Sequence, residues 1–349
     1  MRTITHDTHT GPGTLRLRLP AGSATLVAAP GTDRTSVILA PATPGDQAAI
    51  DAINRSTVLQ TGDQLSVTVP VPASVGFAQT VVHVGSGDVY VSQRGGVVTG
   101  SVTGVRIEGD GTIVVGSGSG SVVSGGGVRA EVRVPAGQRV EIDSDSADIS
   151  ADGPLGEVRA DVRSGNLRID QADDVELTTQ RGDVVLGRVG NARVETGSGR
   201  VQIGRIDAGS VRTQRGDITV DAVTGPLSLE TGSGRVRASQ INSGSVRTQR
   251  GDVVLGRVGN ARVETGSGRV QIGRIDAGSV RTQRGDITVD AVTGPLSLET
   301  GSGCVRAHLA AAVALQAKTG RGDIQITAEP GIAIDRSGLR TGRGEIRTS

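Results

Sequence analysis

Five Arg-Gly-Asp triplets are the groups in this sequence whose type and spacing most directly suggest binding chemistry. A guanidinium and a carboxylate on either side of a glycine form the tripeptide that integrin-type receptors read. Each triplet also precedes the same kind of apolar stretch, so its Gly equally indicates a structural turn. The charged residues of the triplets are our candidates for a surface interaction: Arg181, Asp183, Arg215, Asp217, Arg250, Asp252, Arg284, Asp286, Arg321 and Asp323.

Catalytic and metal-binding groups are not indicated by the sequence. It contains no spacing typical of a Ser-His-Asp or Cys-His site, a phosphate-binding loop or a metal site. His6 and His9 form an isolated HxxH pair without another His or Cys nearby, which is typical of a solvated tail. We therefore predict no catalytic residue, no metal ligand and no cofactor.

A tandem duplication indicates which elements must position the triplets. The segment 179–238 is repeated 69 positions later at 248–307, and the two copies differ only at Arg235 and Cys304. Within each copy a Gly recurs every 17 or 18 residues. A short fixed period predicts a solenoid, in which each coil buries its apolar side by stacking on the next. The recurring glycines are Gly182, Gly199, Gly216, Gly234, Gly251, Gly268, Gly285 and Gly303.

Apolar alternation within each coil predicts which side chains face the core. The inward set of the coil after Gly199 is Val201, Ile203, Ile206, Val211 and Thr213. Four residues before the recurring Gly, the charge alternates in sign from coil to coil through Glu195, Arg212, Glu230, Arg247, Glu264, Arg281 and Glu299. One residue after it come Asp183, Arg200, Asp217, Arg235, Asp252, Arg269, Asp286, Cys304 and Asp323. We expect both columns to form exposed ion-pair ladders that fix the register of the coils more than they stabilise them.

The rest of the chain divides into four segments by pattern. Residues 1–13 are predicted to be a disordered tail, and 14–75 an N-terminal β-rich cap of antiparallel strands with one short helix at 46–54. Ala49, Ile50 and Ile53 form the apolar face of that helix. Residues 76–143 are predicted to form irregular solenoid coils, with tight turns at 116–121 and 124–127. Residues 144–349 form the regular array.

Composition restricts the partners. The formal net charge is +1 with both signs interspersed, so we expect no nucleic-acid partner. No apolar run is long enough to span a membrane, and the first residues do not resemble a secretory signal, so the chain as written is predicted to be cytoplasmic. The partner is expected to be a protein or a glycan, and self-association end to end or through Cys304 is a further possibility.

Several stretches carry a family resemblance: LRLRLPAGSATLVAAPGTDRTSVIL near the start, and SGNLRI, RGDVVLGRV and TGSGRVQIGRI later. They resemble the bacterial β-strand-repeat family of putative adhesins, a family of unknown function with GDV or GDI repeats. The resemblance implies a parallel β-helix and an adhesin-like role at the surface or outside the cell. It supplies no catalytic residues.

The sequence therefore predicts an all-β parallel solenoid with 17–18-residue coils behind an N-terminal β cap. We expect a non-enzymatic scaffold or interaction module. The alternative is a carbohydrate-active β-helix enzyme of the polysaccharide lyase or hydrolase type. That alternative needs clustered carboxylates or basic residues in a groove, and sugar platforms usually add aromatic faces, whereas this chain has only Phe77 and Tyr90.

Overall fold

Parallel stacking of successive coils dominates the structure. The computed structural model describes residues 1–7, 13–71, 81–85, 88–92, 105–107, 113–115 and 127–349. It is an all-β parallel solenoid of about 11 turns with coils of about 17 residues, and the described part contains one short helix. The predicted fold class is confirmed.

The regular array consists of strands that each follow most of one coil. Strand β11 covers Arg139–Ser164. It is followed by β12 (Leu167–Arg181), β13 (Val184–Ser198), β14 (Val201–Arg215), β15 (Ile218–Ser233), β16 (Val236–Arg250), β17 (Val253–Ser267) and β18 (Val270–Arg284). The last coils are split into β19 (Ile287–Val292), β20 (Leu296–Ser302), β21 (Val305–Leu309), β22 (Leu315–Arg321), β23 (Ile324–Ala328), β24 (Leu339–Thr341) and β25 (Ile346–Thr348).

Each coil pairs in parallel with the next, one period along the chain. Val184 lies opposite Val201, and Val201 lies opposite Ile218. In the coil after Gly199, the five residues predicted to face inward are all buried: Val201, Ile203, Ile206, Val211 and Thr213. Columns of Val, Ile and Leu therefore fill the interior, and burying each side chain contributes roughly 1.5–3 kcal/mol.

The N-terminal strand β2 (Thr14–Ala29) is itself a coil of the solenoid. One side of it pairs in parallel with β11. Its other side pairs in parallel with β5 (Gln64–Thr68) and β10 (Val128–Pro135), which together form the preceding layer. Strands β10 and β11 follow each other in the sequence, but β2 lies between them in the stack. The predicted antiparallel arrangement is wrong for β2, because all three of its partners run in its own direction.

The N-terminal end is covered by strands that run against the coils. Strand β3 (Arg34–Pro41) pairs antiparallel with β10, and β4 (Thr57–Thr61) pairs antiparallel with β5. Residues Arg2–Asp7 form strand β1, which pairs antiparallel with β3. The predicted disordered tail is therefore wrong for residues 2–7; His9 lies outside the described residues.

Helix α1 (Gln47–Asn54) completes this end. The carboxylate of Asp46 accepts a hydrogen bond from the backbone N–H of Ala49 and caps the first turn. The buried residues are Ala49, Ala52 and Ile53. Ile50 is only half-buried, so Ala52 replaces it on the inner face that the sequence predicted.

The segment between β5 and β10 is described only in part. Strand β6 (Val81–Gly85) pairs antiparallel with β7 (Asp88–Ser92), and β8 (Val105–Ile107) pairs antiparallel with β9 (Ile113–Val115). These two pairings contradict the predicted solenoid coils at those residues. The predicted turns at 116–121 and at 124–126 lie outside the described residues.

Candidate functional site

A column of glycines forms one edge of the solenoid. We call this surface the glycine edge; it consists of Gly165, Gly182, Gly199, Gly216, Gly234, Gly251, Gly268, Gly285, Gly303, Gly322 and Gly344 with the residues on either side of each. From Gly182 onwards, a Cβ atom at any of these positions would overlap the carbonyl oxygen of the glycine one coil before. Gly182 also has a φ of 140°, which side chains rarely allow. The close stacking of coils requires glycine here.

All five triplets lie on the glycine edge, in alternate coils. Their Arg side chains are exposed; Arg215, for example, lies between Ser198 and Ser233 of the neighbouring coils. Two strand spacings, about 9.6 Å, separate one triplet from the next. The ten candidate residues therefore form two parallel rows along the molecule, with the Arg before and the Asp after the column of glycines.

The Asp side chains of the triplets hold neighbouring coils together. Oδ1 of Asp217 accepts a hydrogen bond from the backbone N–H of Arg235 at 2.8 Å. The same bond joins Asp183 to Arg200, Asp252 to Arg269, Asp286 to Cys304, and Asp323 to Glu345. Among the described residues of this column, only Arg235 and Asp252 form an ion pair, at 3.9 Å. The predicted ladder is thus in place as a column, but its carboxylates act mainly as backbone acceptors.

The second charged column forms true ion pairs between coils. Arg212 contacts Glu230 at 2.8 Å and Arg247 contacts Glu264 at 2.9 Å. Hydrogen bonds from Arg262 and Arg247 lower the pKa of Glu264. Hydrogen bonds from Arg281 and Lys318 likewise lower the pKa of Glu299. The sequence-predicted ladder is confirmed at Arg212, Arg247 and Arg281, each of which pairs with the Glu of the following coil, whereas Glu195 pairs with Arg193 of its own coil.

The Thr that precedes the glycine edge in each coil points inward. Nine of these residues, from Thr179 to Thr319, are buried. Some hydroxyls donate to the glycine carbonyl of the coil before, as Thr300 does to Gly285 at 3.0 Å. The hydroxyls of Thr196, Thr213, Thr248, Thr265 and Thr282 have no hydrogen-bond partner among the described residues. The column therefore belongs to the core and does not offer a binding surface.

An N-terminal groove contains three carboxylates, of which Glu141 and Asp143 are paired with Arg while Asp161 has no ion-pair partner within the described residues. It has a volume of about 380 Å³ and lies across β2, β5 and β11. Arg16 contacts Glu141 at 2.6 Å, and Arg18 contacts Asp143 at 3.4 Å. Paired carboxylates are poor candidates for general acid or base catalysis. No group of three or more potential metal ligands occurs in the described part of the chain.

A second groove has charged groups that are not paired. It has a volume of about 530 Å³ and is lined by Asp170, Gln171, Gly187, Arg188, Gly204, Arg205, Asp221 and Ala222. We call it the Arg-pair groove. Gly187 and Gly204 lack side chains and leave a notch, while Arg188 and Arg205 lie opposite each other in adjacent coils. Among the described residues, none of its Asp or Arg side chains has an ion-pair or hydrogen-bond partner.

The duplication repeats most of this groove. Arg257 and Arg274 lie opposite each other in β17 and β18, beside Gly256 and Gly273. Asp290 corresponds to Asp221, but Ser239 stands where the first copy has Asp170. The sequence analysis did not predict the Arg-pair groove or its copy in the second repeat. The available signal was that Arg follows Arg at this position, whereas the ladder columns alternate in sign.

The middle of the chain matches a known family model. The family model described as Toastrack DUF4097 matches residues 51–260, which is more than half of the chain. The chain belongs to the Toastrack DUF4097 family. The predicted resemblance to an adhesin-like repeat family of unknown function is thereby confirmed. No curated protein matches this Toastrack chain.

The structural comparison of the Toastrack chain gives two solved structures. One is a "putative adhesin" from Bacteroides fragilis NCTC 9343, with 12% identity over 100% of this chain and 97% of that one and a TM-score of 0.21. The other is a "putative lipid binding protein" from Parabacteroides distasonis ATCC 8503, with 8% identity over 99% of this chain and 96% of that one and a TM-score of 0.23. In the described part, no helix is long and apolar enough to cross a membrane.

Proposed function

We propose that this chain is a non-enzymatic interaction module, a rigid scaffold that presents binding groups along its sides in an adhesin-like role. Its partner is a protein or a glycan at the bacterial surface or outside the cell. The resemblance of the repeats to an adhesin-like family agrees with this role. The fold agrees as well, because a solenoid offers a long surface whose side chains are held by the stacking of its coils.

The observation that carries the proposal is the use of the repeated carboxylates. In the triplets, Oδ1 of each Asp accepts a backbone N–H of the next coil, for example Asp217 with Arg235 at 2.8 Å. In the ladder column Glu230 is paired with Arg212, and in the N-terminal groove Glu141 and Asp143 are paired with Arg16 and Arg18. Asp170 and Asp221 have no partner but are three coils apart, about 14 Å, whereas glycosidase carboxyl pairs are about 5–9.5 Å apart. This arrangement favours binding over catalysis.

The exposed Arg of the triplets are the proposed contact points of the glycine edge. Because each Asp is bonded to the next coil, the Arg and the Asp of one triplet are not equally available to a receptor. We therefore propose that the contacts are made through Arg181, Arg215, Arg250, Arg284 and Arg321. The Asp of each triplet holds its turn against the next coil. Self-association end to end or through Cys304 would multiply these contacts.

A binding and turnover screen tests the proposal. The purified chain is incubated with arrayed glycans and matrix proteins to measure retention, and with soluble polysaccharides to measure new reducing or unsaturated ends. We expect retention on at least one surface and no products. Formation of products from any polysaccharide would overturn the non-enzymatic assignment, and the absence of retention on every surface would overturn the binding role.

A further inference from the structure

The Arg-pair groove places two cations side by side with no counter-ion within the described residues. Along the ladder column, opposite charges face each other from coil to coil, as Arg247 and Glu264 do. In the groove, Arg188 faces Arg205 at about the 4.8 Å spacing of paired strands. Like charges placed directly opposite each other are destabilising. The second copy repeats the arrangement with Arg257 and Arg274. Like charges also face each other at Glu157 and Asp174 and at Lys318 and Arg340, but there Glu157 is paired with Arg139 and Lys318 with Glu299. In the groove neither guanidinium group has a partner within the described residues, and this unmatched charge indicates a binding function for the pair.

The groove is shaped to admit an extended ligand down to the backbone. Gly187 and Gly204 contribute no side chains to its floor. Asp170 and Asp221 stand at its two ends, three coils or about 14 Å apart. Oδ1 of Asp170 lies 3.2 Å from the position that a Cβ of Gly187 would occupy, so this carboxylate covers one end of the notch. A ligand in the groove therefore meets two guanidinium groups between two carboxylates.

These groups define the chemistry of the ligand. Two adjacent guanidinium groups match a carboxylate or sulfate, which accepts charge-assisted hydrogen bonds from Arg. The flanking carboxylates can only accept, so the ligand must carry hydroxyl donors on either side of its anionic group. The lining contains no large apolar side chain, which excludes a lipid tail. The flanking carboxylates and the net charge of +1 argue against a nucleic acid.

We propose that the Arg-pair groove binds an acidic oligosaccharide, with the charged group of one sugar between Arg188 and Arg205 and the hydroxyls of its neighbours on Asp170 and Asp221. The proposal rests on the proposed function, because it names the ligand class of a non-enzymatic binding module. Arg257, Arg274 and Asp290 form a second, weaker groove. It lacks one terminal carboxylate at Ser239, and Arg274 is drawn towards Asp276 at 3.7 Å.

Calorimetric titration of the full chain with hexagalacturonate tests the proposal, with a heparin hexasaccharide as the sulfate probe. Fully methyl-esterified hexagalacturonate keeps the hydroxyls and removes the charge. We expect one of the two acidic probes to bind, the esterified probe to bind at least about tenfold more weakly, and affinity to fall with added salt. If neither acidic probe binds, or if the esterified probe binds equally well, the proposal is wrong.

Matched variants assign the site. Combining Arg188→Ala, Arg205→Ala, Arg257→Ala and Arg274→Ala should abolish binding. Arg200→Ala with Arg269→Ala removes two exposed charges outside both grooves and should leave affinity unchanged. Asp170→Ser gives the first groove the form of the second and should weaken binding, whereas Ser239→Asp should strengthen the second groove.

Circular dichroism melting shows whether each variant is folded, so loss of binding is read only from folded variants. If the folded fourfold variant binds like the parent, or the control pair loses as much affinity as the groove variants, the groove is not the site. Chromatography of the titrated sugar distinguishes a wrong binding site from a wrong proposed function. Shortened sugar products would contradict the non-enzymatic role, whereas a wrong binding site would leave the sugar intact.

Discussion

At the scale of single residues, the triplet Asp is a structural acceptor. Asn166 occupies the same column one coil before Asp183, and its Oδ1 accepts the backbone N–H of Asp183 at 3.1 Å. The column therefore already tolerates a neutral acceptor, which indicates that the hydrogen bond matters more than the charge.

We predict that Asp217→Asn changes the free energy of unfolding by less than about 0.5 kcal/mol, while Asp217→Ala lowers it by about 1 kcal/mol, the usual net value of one hydrogen bond. Urea denaturation measures both values. Arg215→Ala serves as the control in the same triplet. Equal losses for the Asn and Ala variants would show that the carboxylate acts through its charge.

The ladder glutamates should make stability depend on acidic pH. Their folded pKa values lie below the ordinary value of 4.5, because Arg262 and Arg247 donate to Glu264, and Arg281 and Lys318 donate to Glu299. A lowered folded pKa stabilises the protein above the unfolded pKa, and this contribution is lost as pH falls through the folded pKa.

We therefore expect the free energy of unfolding to decrease as pH is lowered below 4.5, and to decrease less steeply in the variant with Glu264→Gln and Glu299→Gln. Denaturant titrations over this pH range provide the measurement. Glu131→Gln removes a carboxylate with no ion pair in the described part of the chain and is the control. An unchanged slope in the double variant would contradict this account.

Cys304 tests whether the side chains one residue after the recurring glycines face outward. Its backbone N–H donates to Asp286, and its side chain is half-buried where the first copy has Arg235. We predict that the thiol reacts with a disulfide reagent in the native state. Cys304→Arg should raise the melting temperature slightly at low salt and less at high salt, because Arg restores a screened cation between two carboxylates. A thiol that reacts only after denaturation would contradict the assignment.

The residue-scale predictions from sequence were correct where a periodic pattern decided them. The sign alternation from Arg212 to Glu299 predicted real ion pairs between coils, whereas Glu195 pairs with Arg193 of its own coil. The same alternation after the glycines did not distinguish an ion pair from an acceptor of backbone N–H groups, because both place Asp next to Arg. The Arg-pair groove was missed because no single coil contains it.

At the scale of elements, β2 is the layer that joins the N-terminal end to the array. Leu17 is buried, with Val67 opposite it in β5 and Ile142 opposite it in β11. Sequence periodicity predicted the coils after residue 144, because each one pairs with the next along the chain. It could not place β2, whose partners lie far away in the sequence and share no period with it.

We predict that Leu17→Ala lowers the free energy of unfolding by about 2–5 kcal/mol, as expected for a large-to-small change in a core. Leu59, which is 62% exposed in β4, provides the control, and Leu59→Ala should have little effect. Chemical denaturation compares the two. Similar small losses would show that β2 is not an integral coil.

At the scale of the whole molecule, the solenoid is an additive array of interchangeable coils. Residues 181–198 and 250–267 have the same sequence, so removing Arg181–Gln249 stacks the coil before Arg181 on a coil identical to its present neighbour. The shortened chain contains no coil–coil interface that the parent lacks. It also brings Asp170 beside Gly256 and Arg257, which recreates one complete Arg-pair groove.

Removal of Arg181–Gln249, followed by small-angle X-ray scattering and circular dichroism, tests the central claim most directly, because only a stack of equivalent coils can lose 69 residues without losing its fold. We predict a folded protein with unchanged β-sheet content and a long axis about 19 Å shorter, which corresponds to four coils at about 4.8 Å each. An unfolded or aggregated product from a folded parent, or a long axis that does not shorten, would contradict the account.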